Sequence, residues 1–209
     1  MAFLPLYLQC FTSPRRGLDA VVAHPRNVRY GAYAVAVTGT TYLLVYFFLS
    51  RNGGRPTVFK PWLAIAPEVY YRYNLYLHVP SILLAWVAAA GFTQLTARAL
   101  GGTGSFEATA AVLGFGIGIA SWWTGLHDVV TTFLGYLRVI DQRWYEDAMS
   151  GSTPFHTLIL SLMLAYTAWL AMMFTTGVRA AHGLGRLRSA LAGTLGFLVY
   201  QGVFALFNR

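Results

Sequence analysis

The chain has 209 residues, 56% apolar and 11% charged, and its mean hydropathy is +0.52. A soluble domain carries about 25% charged residues, so this composition excludes most soluble enzymes and nucleic-acid binders and points to a polytopic membrane protein. The net charge of +8 falls in the short segments between apolar runs, where basic residues face lipid headgroups, and calls for no nucleic-acid partner.

Residues 1–29 mix Leu4, Leu6, Leu8, Phe11 and Leu18 with Arg15, Arg16, Arg26 and Arg29. Pro5, Pro14 and Pro25 rule out one continuous helix, and a membrane-surface segment is expected. The single cysteine, Cys10, excludes an internal disulfide. It lies in apolar residues 6–11 as an acylation candidate, against the alternative of a buried thiol.

A helical span needs about 20 mainly apolar residues. Runs at 30–50, 79–96, 108–126, 155–178 and 191–207 meet that need. Residues 30–209 therefore form one all-α bundle, multi-pass, with about five spans and interfacial helices. As one helix, 108–140 would extend about 50 Å and overshoot the bilayer. A break is expected near Gly125-Leu126-His127-Asp128, with 129–139 lying along the interface. Residues 51–78 place Pro56, Pro61 and Pro67 among Trp62, Tyr70, Tyr71, Tyr73 and Tyr76, an interfacial aromatic belt. With five spans the N-terminal face collects eight Lys and Arg, and the other face, including Lys60 and Arg209, collects seven. That difference sets no orientation.

Gly101-Gly102-Thr103-Gly104-Ser105 is expected to be a tight hairpin with Ser105 as a helix cap; no Gly-Lys-Ser/Thr follows, as a phosphate loop requires. Gly114 with Gly118, and Ser121 with Gly125, make two small-xxx-small pairs that let helices approach closely. They are either internal packing faces or the face for another membrane protein or a second copy. His127-Asp128 is the charged pair beside an apolar run: it lines an intramembrane polar site, with Gln201 and more weakly Asn208, or it marks the water boundary. The five histidines form no HExxH and no i,i+4 pair, although their spacing leaves a haem between His127 and His156 open. No cofactor or metal is expected. The acids Asp141, Glu146 and Asp147, interleaved with Arg138 and Arg143, read as a solvated loop.

The string Leu100-Gly101-Gly102-Thr103-Gly104-Ser105-Phe106, leading into Ala111-Val112-Leu113-Gly114-Phe115, resembles the core of the Yip (Ypt/Rab-interacting protein) domain family of integral membrane proteins in its bacterial and archaeal branch. Pro80 and Trp86 in the preceding span fit too, as does Phe174-Thr175-Thr176-Gly177-Val178-Arg179-Ala180-Ala181-His182-Gly183-Leu184 with Arg188 and Ala190. The likeness runs in order over residues 10–205. It implies a helical membrane protein with about five spans, in a prokaryotic cell membrane. Eukaryotic relatives bind Rab-type GTPases. The Asp-Leu-Tyr-Gly-Pro signature of those relatives is absent here and Gly114-Phe115 stands where they have Gly-Tyr, so that partner is not carried over. The expected role is non-enzymatic, a scaffold or adaptor working by helix association. The alternative is a transporter, channel or lipid-moving protein using a groove at His127 and Asp128.

Overall fold

The computed structural model describes residues 2–56, 63 and 65–207; Lys60, Pro61, Trp62, Asn208 and Arg209 lie outside them. Every regular element among these residues is a helix: α1 (Phe3–Thr12), α2 (Pro14–Val22), α3 (Asn27–Asn52), α4 (Tyr70–Ala99), α5 (Phe106–Ala120), α6 (Trp122–Tyr136), α7 (Gln142–Ser150), α8 (Pro154–His182) and α9 (Arg186–Phe207). Helices α3, α4, α8 and α9 are each long and apolar enough to cross a membrane, and α5 with α6 passes as a bent pair, giving four to five spans.

The breaks follow from local chemistry. Pro14 opens α2, where its missing N–H costs nothing, and Gly53 and Gly183 end α3 and α8 in the left-handed region that a side chain resists. Ser105 caps α5 by accepting from the Ala108 N–H at 3.2 Å. Helix α5 is apolar all round, the pattern of a helix buried on every side, and residues 108–120 are all buried. It is the axle of the bundle. Gly114 and Gly118 face α3, where a Cβ would stand 2.5 Å from the Gly31 carbonyl and 2.7 Å from that of Ala34. Gly116 faces the Phe174 ring of α8 instead. Trp86 of α4 ties in a third neighbour by donating to the Ala110 carbonyl at 2.8 Å.

The expected break near 125–128 lies earlier, at Ser121, where α5 and α6 meet at 43°. The Gly118 carbonyl accepts two hydroxyls there, Tyr7 at 2.6 Å and Ser121 at 2.9 Å. Side chains that enter the backbone ladder bend a helix in this way. Helix α6 then runs through His127 and Asp128 without interruption, so residues 129–136 continue that helix and form no separate interfacial one.

Helices α1 and α2 form a hairpin against the bundle, with Leu4, Leu8 and Phe11 outward and Leu6, Cys10, Leu18 and Val21 in the core. Cys10 is fully buried, and a Cβ on Gly17 would already collide with its backbone and Sγ. An acyl chain there would have to pry α2 away, so the buried thiol is the state observed. The expected acidic loop at 141–147 is instead α7. Asp141 caps it by accepting from the Trp144 N–H at 2.9 Å, while Glu146 is only 3% exposed.

Candidate functional site

Thr124, His127, Asp128, Thr131 and Thr132 fall at i, i+3, i+4, i+7 and i+8 on α6, which is one face of a helix. Leu126, Val130 and Phe133 occupy the other face and are exposed. In a bilayer the apolar face belongs outward, so the polar face must turn into the bundle, where it borders a cavity of about 350 Å³. That is within the size range of small-molecule pockets. Tyr42 and Tyr46 of α3, Tyr166 of α8, and Tyr200 and Gln201 of α9 continue the wall, and α7 supplies Tyr145 and Glu146.

The centre of this wall is a chain of three side chains. His127 Nδ1 lies 2.8 Å from Asp128 Oδ1, and His127 Nε2 lies 2.7 Å from the Tyr145 hydroxyl. A carboxylate only accepts, so Nδ1–H donates to Asp128. In that tautomer Nε2 accepts from the Tyr145 O–H. Burial, with the Asp128 charge as a smaller cause, pushes the Tyr145 hydroxyl above its usual proton affinity and keeps it a donor. The His127 and Asp128 side chains are only 12% and 25% exposed, covered by the bundle.

Other polar groups of the wall are paired as well. Tyr42 and Thr124 hydroxyls meet at 2.7 Å, those of Thr38 and Ser121 at 2.8 Å, and Tyr166 donates to Gln201 Oε1 at 3.3 Å. The Glu146 carboxylate accepts from the Arg55 N–H and from Gln142 Nε2, each at 3.0 Å. Burial still raises its proton affinity above the usual carboxylate range.

The structure thus brings Ser121, His127, Asp128 and Gln201 to one cavity and leaves Gly114 and Gly118 in the α3–α5 contact. Gly125 makes ordinary contact with Thr41. The haem alternative finds no support. His127 uses both ring nitrogens, and His156 Nδ1 bonds the Met149 carbonyl at 2.7 Å. Among the described residues no three His, Cys, Asp or Glu side chains gather as a metal site. Tyr145 and Glu146 are site residues that the sequence reading missed. The available signal was the polar spacing on α6, which demands a covered partner surface.

A second polar cluster locks the glycine hairpin. His182 Nδ1 accepts from the Gly104 N–H at 3.2 Å, which leaves Nε2–H to donate to Thr109 Oγ1 at 2.8 Å. The Thr109 hydroxyl donates to Gln94 Oε1 at 2.6 Å, and Gln94 Nε2 closes the ring on the Gly104 carbonyl at 3.0 Å. A Cβ on Gly104 would run into the Ala181 carbonyl, so the hairpin needs glycine to dock. These segments, 100–115 and 174–184, are the ones that carry the family resemblance, and residues 8–207 match the Yip1 domain.

The chain belongs to the Yip1 domain family. No curated protein and no solved structure matches it. As a Yip1 protein it is an integral, multi-pass helical membrane protein, with the hairpin ring at one end of α8 and the cavity toward the other.

Proposed function

We propose that this Yip1 protein binds a small polar-headed molecule in the α3/α6/α8/α9 cavity and moves it through or within the bilayer. One observation carries the reading: the polar face of α6, with Asp128 and His127, lines a cavity inside the helical bundle. An aspartate at membrane depth costs about 2.5–3.5 kcal/mol on insertion scales, and nothing in helix packing requires this one. The seven tyrosines that line the cavity offer apolar rings with polar tips, a surface suited to a molecule with both characters. The Asp128–His127–Tyr145 chain gives the site groups that exchange protons with such a cargo.

The test is flux from vesicles holding the purified protein, scored for protons, small solutes and labelled lipid. Wild type is expected to move at least one of these, and Asp128→Asn or His127→Ala to slow it tenfold or more. Wild-type vesicles that match empty ones on all three would overturn the proposal.

A scaffold role is the second reading. It is supported by Gly91 on α4 and Gly202 on α9, which have nothing within 4 Å of an added Cβ and leave small-residue surface for a neighbouring helix. Mild-detergent co-purification of a stoichiometric membrane partner, lost in Gly91→Leu/Gly202→Leu, is its test.

A further inference from the structure

At the end of the bundle away from the His127 cavity, α2, α8 and α9 enclose an open cleft of about 560 Å³. Arg15 enters it from the first turn of α2, Arg179 from the last turn of α8 and Arg186 from the first residue of α9. The one acidic side chain in the lining is Asp19. Among the described residues no carboxylate lies within ion-pair distance of these three arginines.

Three cations from three separate helices converge on one concavity beside a single carboxylate, so an anion bound there would relieve their repulsion. Guanidinium groups present forked donors that fit phosphate oxygens two at a time. The exposed first turn of α9 adds the positive end of a helix dipole beside Arg186. The depth is right as well: Arg179 and Arg186 flank the α8–α9 turn, just beyond two spans, where lipid headgroups lie. Thr175, Thr176 and Ser189 also line the cleft, but each hydroxyl already donates within its own helix, so the arginines are the donors available to an anion.

We infer that this cleft is a binding site for a phosphate group, carried by an anionic phospholipid headgroup or by a soluble phosphate. It is separate from the His127 cavity and stands whether or not that cavity moves a cargo.

The experiment uses the full-length protein in neutral detergent, with binding read by native mass spectrometry. The probes are phosphatidic acid, phosphatidylcholine and inorganic phosphate, each added separately. Phosphatidic acid is expected to bind at least tenfold tighter than phosphatidylcholine. Phosphate alone binding as tightly as phosphatidic acid assigns the site to a soluble ligand, and phosphate binding weakly assigns it to a lipid; both support the phosphate site. A surface cation is worth about a fivefold change in anionic lipid binding. Arg179→Gln/Arg186→Gln should therefore weaken binding about 25-fold, whereas Asp19→Asn should tighten it about fivefold, a gain that misfolding cannot produce. Equal affinity for the two lipids, or Asp19→Asn binding no tighter than wild type, would overturn the inference.

Discussion

Replacing Gly114 or Gly118 with alanine should destabilise the isolated protein, and replacing Gly91 or Gly202 should not. At Gly114 the new methyl would stand 2.5 Å from a backbone carbonyl of α3, about 0.9 Å short of the 3.4 Å at which ordinary contact begins. At Gly118 the shortfall is about 0.7 Å, again against a carbonyl. A backbone oxygen inside a span has no rotamer by which to move aside, so α3 must retreat as a body. A gap of 0.5–1 Å forfeits roughly a quarter to a half of each contact along that seam, and overpacking of this kind costs about 1–3 kcal/mol. Alanine's better helix propensity returns at most about 1 kcal/mol. At Gly91 and Gly202, with nothing to displace, only that gain remains. The assay is thermal unfolding in detergent, where 1 kcal/mol shifts Tm by about 2–4 °C for a chain of this size. Gly114→Ala and Gly118→Ala should lower Tm by several degrees, and the Gly91 and Gly202 variants should raise it slightly. If Gly114→Ala and Gly118→Ala kept the wild-type Tm but split an oligomer, the glycines would face a partner and the packing argument would be wrong.

Three further outcomes follow from the polar groups. Glu146 has its proton affinity raised in the folded state, so the folded chain holds more protons there than the unfolded one. Stability should fall as pH rises through the raised value, and Glu146→Gln should be more stable than wild type above it, the difference closing as pH drops toward the ordinary carboxylate range. Gln142 Oε1, buried without a partner, could then accept from the new amide; unfolding curves across pH that show no crossover toward the variant would refute this. His182→Ala strands the Gly104 N–H, at about 1–3 kcal/mol for a buried group left unmade, while Thr109 keeps its bond to Gln94. Hydrogen exchange should quicken at 102–104 while α3 amides stay protected, and unchanged protection at the hairpin would count against the ring. Burial pushes the Cys10 thiol up to about 12, so a maleimide should label it only after unfolding; rapid labelling of the native protein would show α1–α2 to be open.

Much of the bundle was legible because span length and apolar runs are properties of contiguous residues. The limits of α3, α4, α8 and α9 track the expected spans, with extensions at the polar ends. The α5–α6 break was foreseen on length alone but placed at the most polar dipeptide. Its actual cause is a pair of hydroxyls, one of them Tyr7, 111 residues away in sequence from the carbonyl it bonds. The same distance problem hid the hairpin ring, whose His182 and Thr109 are 73 residues apart. Asp141 and Glu146 share a short polar stretch, yet one caps a helix end and the other is buried under the Arg55 loop. Composition cannot separate those fates. The cavity was half legible: His127, Asp128 and Gln201 were picked out as either an intramembrane polar site or a water boundary, and they line the cavity, while Tyr145 enters from a helix that was read as loop.

The bend at Ser121 bears on how the protein is made. Helices α5 and α6 have 15 residues each, about 22 Å of rise, and neither alone reaches across about 30 Å of hydrocarbon. The two must leave the translocation channel as one unit, and the second half exposes a polar stripe that lipid will not accept. Helix α3, synthesised earlier, already holds the Thr38 and Tyr42 hydroxyls that meet that stripe. The first apolar run thus supplies partners for the start of that stripe, at Ser121 and Thr124, whereas His127 waits for Tyr145 of α7, which is synthesised later.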